Sequence, residues 1–267
     1  MIDFRPMNQI RLIRVVGAMQ KQLDPGVERV AELLLSNVAL HGTLETADEA
    51  AIRKLTPRTR SVSAGEDIVR QGDRPNVAVI VLGGMLARYH TLEGGDRQYL
   101  SFHIAGDMPD IQCLFLTVMD HSLCALGEAV VGVVPHDQLT RLIRSRPAVG
   151  LALWRLTFVD ASIFRQAITN NGARPHLARL AHLLCEQYER ARQASLAVGR
   201  SCDFPVRQAQ IAQALGMSAV SVHRALQKLR RDRLADLRSG KLEILNWPGL
   251  IRLAGFDPAY LHLKTEP

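Results

Sequence analysis

The sequence predicts an α+β fold: an N-terminal antiparallel β-roll, then a long dimerisation helix, then a C-terminal winged helix-turn-helix. Three observations lead there. Over residues 61–136, short β-branched runs alternate with glycine-bearing turns, as in a sandwich, barrel or roll. From 147 to about 169, apolar residues follow a seven-residue repeat. Over 204–229, two short amphipathic segments meet at a glycine.

Residues 1–35 read as a helical extension of mixed charge. Leu12, Val15, Val16 and Met19 share one side, and Val30, Leu33 and Leu34 follow. Residues 36–146 form the roll, with strands expected at 62–63, 67–70, 77–82, 85–89, 98–104, 123–126 and 129–135. Gly65, Gln71-Gly72-Asp73, Gly83-Gly84 and Glu93-Gly94-Gly95-Asp96 punctuate them. Residues 147–171 form the long helix. Val149, Leu153, Leu156, Ile163 and Ala167 keep the repeat, and Asp160 stands where another apolar residue is expected. Trp154, Phe158, Ala161 and Ile168 make a second stripe, so the helix needs two partners, the roll and the same helix of a second subunit. Asn170-Asn171-Gly172 reads as a breaker and hinge.

Residues 172–267 form the last domain, opening on an amphipathic helix over 174–193 that turns Leu177, Leu180, Ala181, Leu184 and Cys185 inward. Ile211, Ala212 and Leu215 then fall on one face of a short helix, which Gly216 ends by taking a left-handed conformation. Ser218 caps the next helix by accepting a backbone N–H. That helix turns Val222, Ala225, Leu226 and Leu229 inward, and Ser221, His223, Arg224, Gln227 and Lys228 outward. Apolar runs at 234–237 and 242–245 flank Arg238-Ser239-Gly240-Lys241 and read as a hairpin, the wing. Asn246 caps a final helix with Pro248 near its start.

The net charge of +7 is not spread evenly. From Gly172 onward there are 15 Lys and Arg against 8 Asp and Glu, whereas residues 1–171 hold 18 of each. The whole excess lies with the helix-turn-helix, as neutralising the phosphates of double-stranded DNA requires. The longest apolar run, 77–87, falls short of the roughly 20 residues that span a bilayer, so no membrane partner is expected. The first residues lack a secretion signal, and a cytoplasmic location follows. Cys113, Cys124, Cys185 and Cys202 are scattered without a C-x-x-C pair, and they read as buried thiols rather than metal ligands. No Ser-His-Asp, H-E-x-x-H, Walker or G-x-G-x-x-G pattern marks an enzyme, and no cofactor is assigned.

Over about residues 36–267 the chain resembles the Crp/Fnr family of transcription regulators. The most specific stretches are Val69-Arg70-Gln71-Gly72-Asp73, Arg179-Leu180-Ala181-His182-Leu183-Leu184-Cys185-Glu186 and residues 208–229. The resemblance implies a homodimer on a two-fold symmetric operator, contact with RNA polymerase, and a signal sensed in the roll and relayed through the long helix. Members that bind cyclic AMP carry a Gly-Glu pair and an Arg-Ser or Arg-Thr pair. Here the stretch reads Gly106-Asp107-Met108-Pro109-Asp110-Ile111-Gln112 and then Met119-Asp120-His121-Ser122, with no Lys or Arg over 98–140. Cyclic-nucleotide binding of that kind is therefore not expected, and the small-molecule effector is unknown. His90, His103 and His121 read as hydrogen-bonded residues rather than haem ligands.

In the recognition helix, members that read the best-known operator place Arg-Glu where Ala219 and Val220 stand here, while Arg224 keeps the arginine that follows. Arg224 is expected to read a guanine edge, Ser221 and His223 to add base contacts, and Val220 or Ala219 to touch a thymine methyl. Gln208, Ser218, Lys228, Arg230 and Lys241 are expected on phosphates. A surface ion pair with Asp232 or Asp203 is the competing role for Arg224. The competing function is a ligand-binding module acting through protein contacts.

Overall fold

A computed structural model describes residues 25–264. Leu12, Val15, Val16 and Met19 lie outside the described residues. Helix α1 (Pro25–His41) is followed by α2 (Thr46–Ile52), strands β1 (Arg58–Val62), β2 (Asp67–Val69), β3 (Val77–Gly83), β4 (Leu86–Thr91) and β5 (Arg97–His103), and a 3-10 turn, Ile111–Leu114. Strands β6 (Ser122–Ala125) and β7 (Ala129–Pro135), α3 (His136–Ser145) and α4 (Pro147–Ala173) come next. The last part comprises α5 (His176–Gln193), β8 (Ser201–Asp203), α6 (Gln208–Leu215), α7 (Ala219–Arg231), β9 (Ala235–Arg238), β10 (Lys241–Ile244) and α8 (Trp247–Ala254).

The roll is two antiparallel sheets, β1-β7-β3 and β2-β6-β4-β5. Val62, Val79, Val81, Leu86, Leu123 and Val131 fill the space between them. Strand β3 is apolar almost throughout because its other face is also covered, by α1, α3 and α4, through Val30, Leu34, Ile80, Leu139, Val149 and Leu153. Gly132 makes that approach possible, since a Cβ there would lie 2.5 Å from Val30 Cγ2 and 2.8 Å from Ile80 Cγ2. Helix α1 thus runs unbroken through residue 35 into the roll's core. The first strand lies at Arg58–Val62 rather than at 62–63. Four of its five side chains are exposed, so it carries no apolar alternation to reveal it.

Helix α4 does not stop at Asn170-Asn171-Gly172 but continues to Ala173. Asn170 and Asn171 are tied down: their side-chain amides donate to the Arg179 and Ala214 carbonyls, each at 3.1 Å. The chain turns at Arg174, held extended (φ −92°, ψ 143°) by the proline that follows. Although no uninterrupted apolar run is longer than 77–87, among the described residues α4 is long and apolar enough, by length and hydropathy alone, to cross a membrane. One side packs on the roll through Val149 and Leu153. The other leaves Leu151 (72%), Trp154 (51%), Phe158 (62%) and Ile168 (74%) exposed. Phe115 from the roll meets Trp154 edge-on, and Trp154 meets Phe158 the same way.

Helix α5 starts at His176, not 174, and is buried on all sides from Leu180 to Glu189. Its neighbours are α7 and α8, and near its end Arg190 donates to the Phe102 carbonyl of β5 at 2.8 Å, while α6 packs directly on β5. One continuous core runs from Ala87, Tyr89, Tyr99 and Phe102 in the roll to Phe204, Ile211, Val222 and Leu229 in the winged helix. The wing is three-stranded, β8-β10-β9, with Cys202 opposite Leu242. All four cysteines are buried.

Candidate nucleic-acid interface

The helix-turn-helix follows from local chemistry. Gly216 closes α6 at φ 59°, the left-handed region where a side chain is costly. Ser218 Oγ accepts the Ser221 N–H at 3.1 Å, which fixes the first residue of α7. Val222, Ala225 and Leu229 are buried against Ile211, Ala212 and Leu215, with Leu226 half-buried beside them. The other face of α7 is left to solvent.

That face gathers Ala219, Val220, His223, Arg224, Gln227 and Lys228, all exposed, with Ser221 half-buried at its start. Neither proposed carboxylate partner reaches Arg224. Asp232 pairs with Lys228 at 2.7 Å and Arg231 at 3.7 Å, and Asp203 pairs with Lys241 at 3.4 Å. Among the described residues Arg224 has no ion pair, so its guanidinium is available to an incoming acceptor. Lys228, Arg230 and Lys241 each hold a surface carboxylate, Arg230 taking Asp236 at 3.5 Å. Exposed pairs of this kind contribute about 0–1 kcal/mol, which a phosphate can replace. Gln208, at the first position of α6, turns its Oε1 to His223 Nδ1 at 3.3 Å, and its side-chain NH2 remains for a phosphate. Arg233, exposed at φ 52° just beyond α7, adds a further cation beside these.

In the roll, the residues that differ from the cyclic AMP pattern are engaged internally. Burial alone would raise the Asp107 carboxyl, but the Arg190 guanidinium at 2.5 Å, with His103 and the Ile104 N–H, holds it well below the usual range. Two arginines from outside 98–140 therefore reach this region, Arg190 from α5 and Arg88 from β4, which a count along the sequence misses. Both are spoken for. Arg88, almost fully buried, donates to the Pro109 carbonyl and to Asp160 of α4 at 2.6 Å. His90 bonds the Asp120 carbonyl at 2.9 Å, His103 faces Ser101 and Asp107, and His121 bonds the Asp120 side chain at 2.7 Å.

Asp110 makes a testable contrast with Asp107. Its Oδ1 accepts the Val79 N–H at 2.8 Å, its Oδ2 has no partner among the described residues, and burial pushes its carboxyl up to about 7. The folded chain keeps it protonated while the unfolded chain ionises near pH ~4. Stability present below that pH is therefore lost as the pH rises toward ~7. Asp110→Asn is expected to raise the melting temperature at about pH 8 and to converge with the parent near pH ~4. Equal melting temperatures at the higher pH would sink this assignment.

Two family models match the chain: a cyclic nucleotide-binding domain over residues 59–146 and a Crp-like helix-turn-helix domain over residues 178–253. The chain is 21% identical over 221 residues to the fumarate and nitrate reduction regulatory protein of Vibrio cholerae, covering 83% of this chain and 88% of that one. It is 23% identical over 221 residues to the transcriptional activator protein FnrA of Stutzerimonas stutzeri, covering 83% and 90%. FixK2 from Bradyrhizobium japonicum has the same fold, with a TM-score of 0.68 at 22% identity over 74% of this chain and 98% of that one.

Proposed function

We propose that this chain, which belongs to the Crp/Fnr family of DNA-binding transcription regulators, grips a two-fold symmetric operator as a homodimer by laying α7 in the major groove. The observation that carries the reading is the exposed Arg224 on the solvent face of α7, without an ion pair among the described residues, within the segment 172–267 that holds all the net positive charge. A forked guanidinium pairs with the O6 and N7 of guanine, and Val220, 60% exposed one turn earlier, offers a methyl contact to thymine. Ser221 supplies a further base contact; both ring nitrogens of His223 face side chains, Gln208 and Gln227, so the base contact expected of it is not proposed. Gln208, Ser218, Lys228, Arg230 and Lys241 hold phosphates and so fix register.

The uncovered stripe of Leu151, Trp154, Phe158 and Ile168 supports pairing of α4 with its copy, which sets two recognition helices about 34 Å apart. Contact with RNA polymerase, a cytoplasmic location and the absence of catalytic activity follow the family's character as regulators. The occupied state of Asp107, Arg88 and Arg190 favours a roll that does not take cyclic AMP in the family's usual way.

Arg224→Ala is expected to cost about 1–3 kcal/mol on the preferred duplex and to relax one base position in each half-site. Lys228→Ala should weaken all sequences alike and reduce the salt slope of binding by about 1. Both are read by titrating labelled duplexes at several salt concentrations. An Arg224→Ala protein with unchanged affinity and preference would mean that α7 docks in another register.

A further inference from the structure

We infer that Gln227 is a base-reading residue, presented to the groove as a fixed donor and acceptor by a hydrogen-bonded chain that begins on α6. The inference rests on the groove docking of α7 proposed above. Gln208 Oε1 can only accept, so the His223 Nδ1 that faces it at 3.3 Å carries the proton. In a neutral imidazole the other nitrogen is then an acceptor, and Gln227 Nε2 meets it at 2.9 Å as a donor. The order Gln227 to His223 to Gln208 thus has one sense. It fixes which end of the Gln227 amide is which.

What remains of that amide is its Oε1 and its second N–H. Gln227 lies one turn beyond His223 and three residues beyond Arg224, on the face that α7 turns to solvent. A side-chain amide offering one acceptor and one donor side by side matches the N6 and N7 edge of adenine. Tethering it from behind removes rotamer freedom before the DNA arrives, so less is lost on binding. Neither His223 nor Gln227 belongs to the core, and their replacement leaves the packing of α7 intact.

The test is selection from a random duplex pool by the full chain and by Gln227→Ala, Gln227→Glu and His223→Ala, each checked for an unchanged melting temperature. The parent is expected to enrich adenine at one position of each half-site beside the Arg224 contact. Gln227→Ala should lose roughly ten-fold of that discrimination and keep the rest of the motif. Gln227→Glu, which can only accept, should move the preference to cytosine. His223→Ala should blur the same position by freeing the amide. The inference is overturned if the Gln227→Ala motif equals the parent's, if all sequences weaken equally, or if the position reads guanine, which two donors would select. A parent that enriches no sequence at all overturns the docking of α7 as well, which separates the two failures.

Discussion

Asp160→Ala is expected to destabilise the folded chain by about 3 kcal/mol, a drop in melting temperature on the order of 10 °C. Asp160 interrupts the apolar repeat of α4 because it answers Arg88, whose side chain is only 4% exposed. Removing the carboxylate leaves that guanidinium inside the protein with a carbonyl and the Phe164 ring for company. An uncompensated buried charge is far more costly than the pair itself was favourable. The double replacement Arg88→Leu with Asp160→Leu should therefore recover most of the loss, because two apolar side chains of similar bulk need no partner. Thermal melts of the two single variants and the double variant measure the coupling. If Asp160→Ala melts within a degree or two of the parent, the pair is not what holds the roll to α4.

The features that sequence made legible share a property: each is set by neighbours within one or two turns. Gly216 and Ser218 announce the turn and the cap by residue type alone, and the structure places them as expected. The strands from β2 to β7 fall within two residues of their predicted bounds, because β-branched runs between glycines need no distant information. What was not legible depends on contacts far apart in the chain. The three residues of β8, two of them polar, become a strand only because β10 lies beside them. Asn170 and Asn171 stay helical because carbonyls of α5 and α6 receive their amides. The packing of the winged helix on the roll is of the same kind. The Gln210 amide, 111 residues from Tyr99, donates to its hydroxyl at 3.3 Å. At the interface, the outward set of α7 was readable from period alone. The tie from Gln208 to His223 was not, because it crosses between two helices whose angle the sequence does not print.

That docking of the two halves gives the second large expectation. Phe204→Ala should cost about 3–5 kcal/mol and lower the melting temperature by on the order of 10 °C. Phe204 is fully buried, and its ring stands edge-on to Phe102 of β5 at 5.8 Å between centroids. Its backbone N–H donates to Gly240 of the wing at 2.7 Å, so the residue joins β8, the wing and the roll at one point. Truncation removes the transfer free energy of a benzyl group and leaves a void, which the rigid strands on either side cannot close. An exposed control, Val220→Ala, should leave the melting temperature nearly unchanged, since Val220 is 60% exposed in the free chain. Because apolar packing is continuous from β5 into the winged helix, the parent should unfold in one calorimetric transition. Two separated transitions in the parent, or a Phe204→Ala loss below about 1 kcal/mol, would mean that the DNA-binding half is only loosely seated on the roll. In that case a signal in the roll would have to travel through α4 alone.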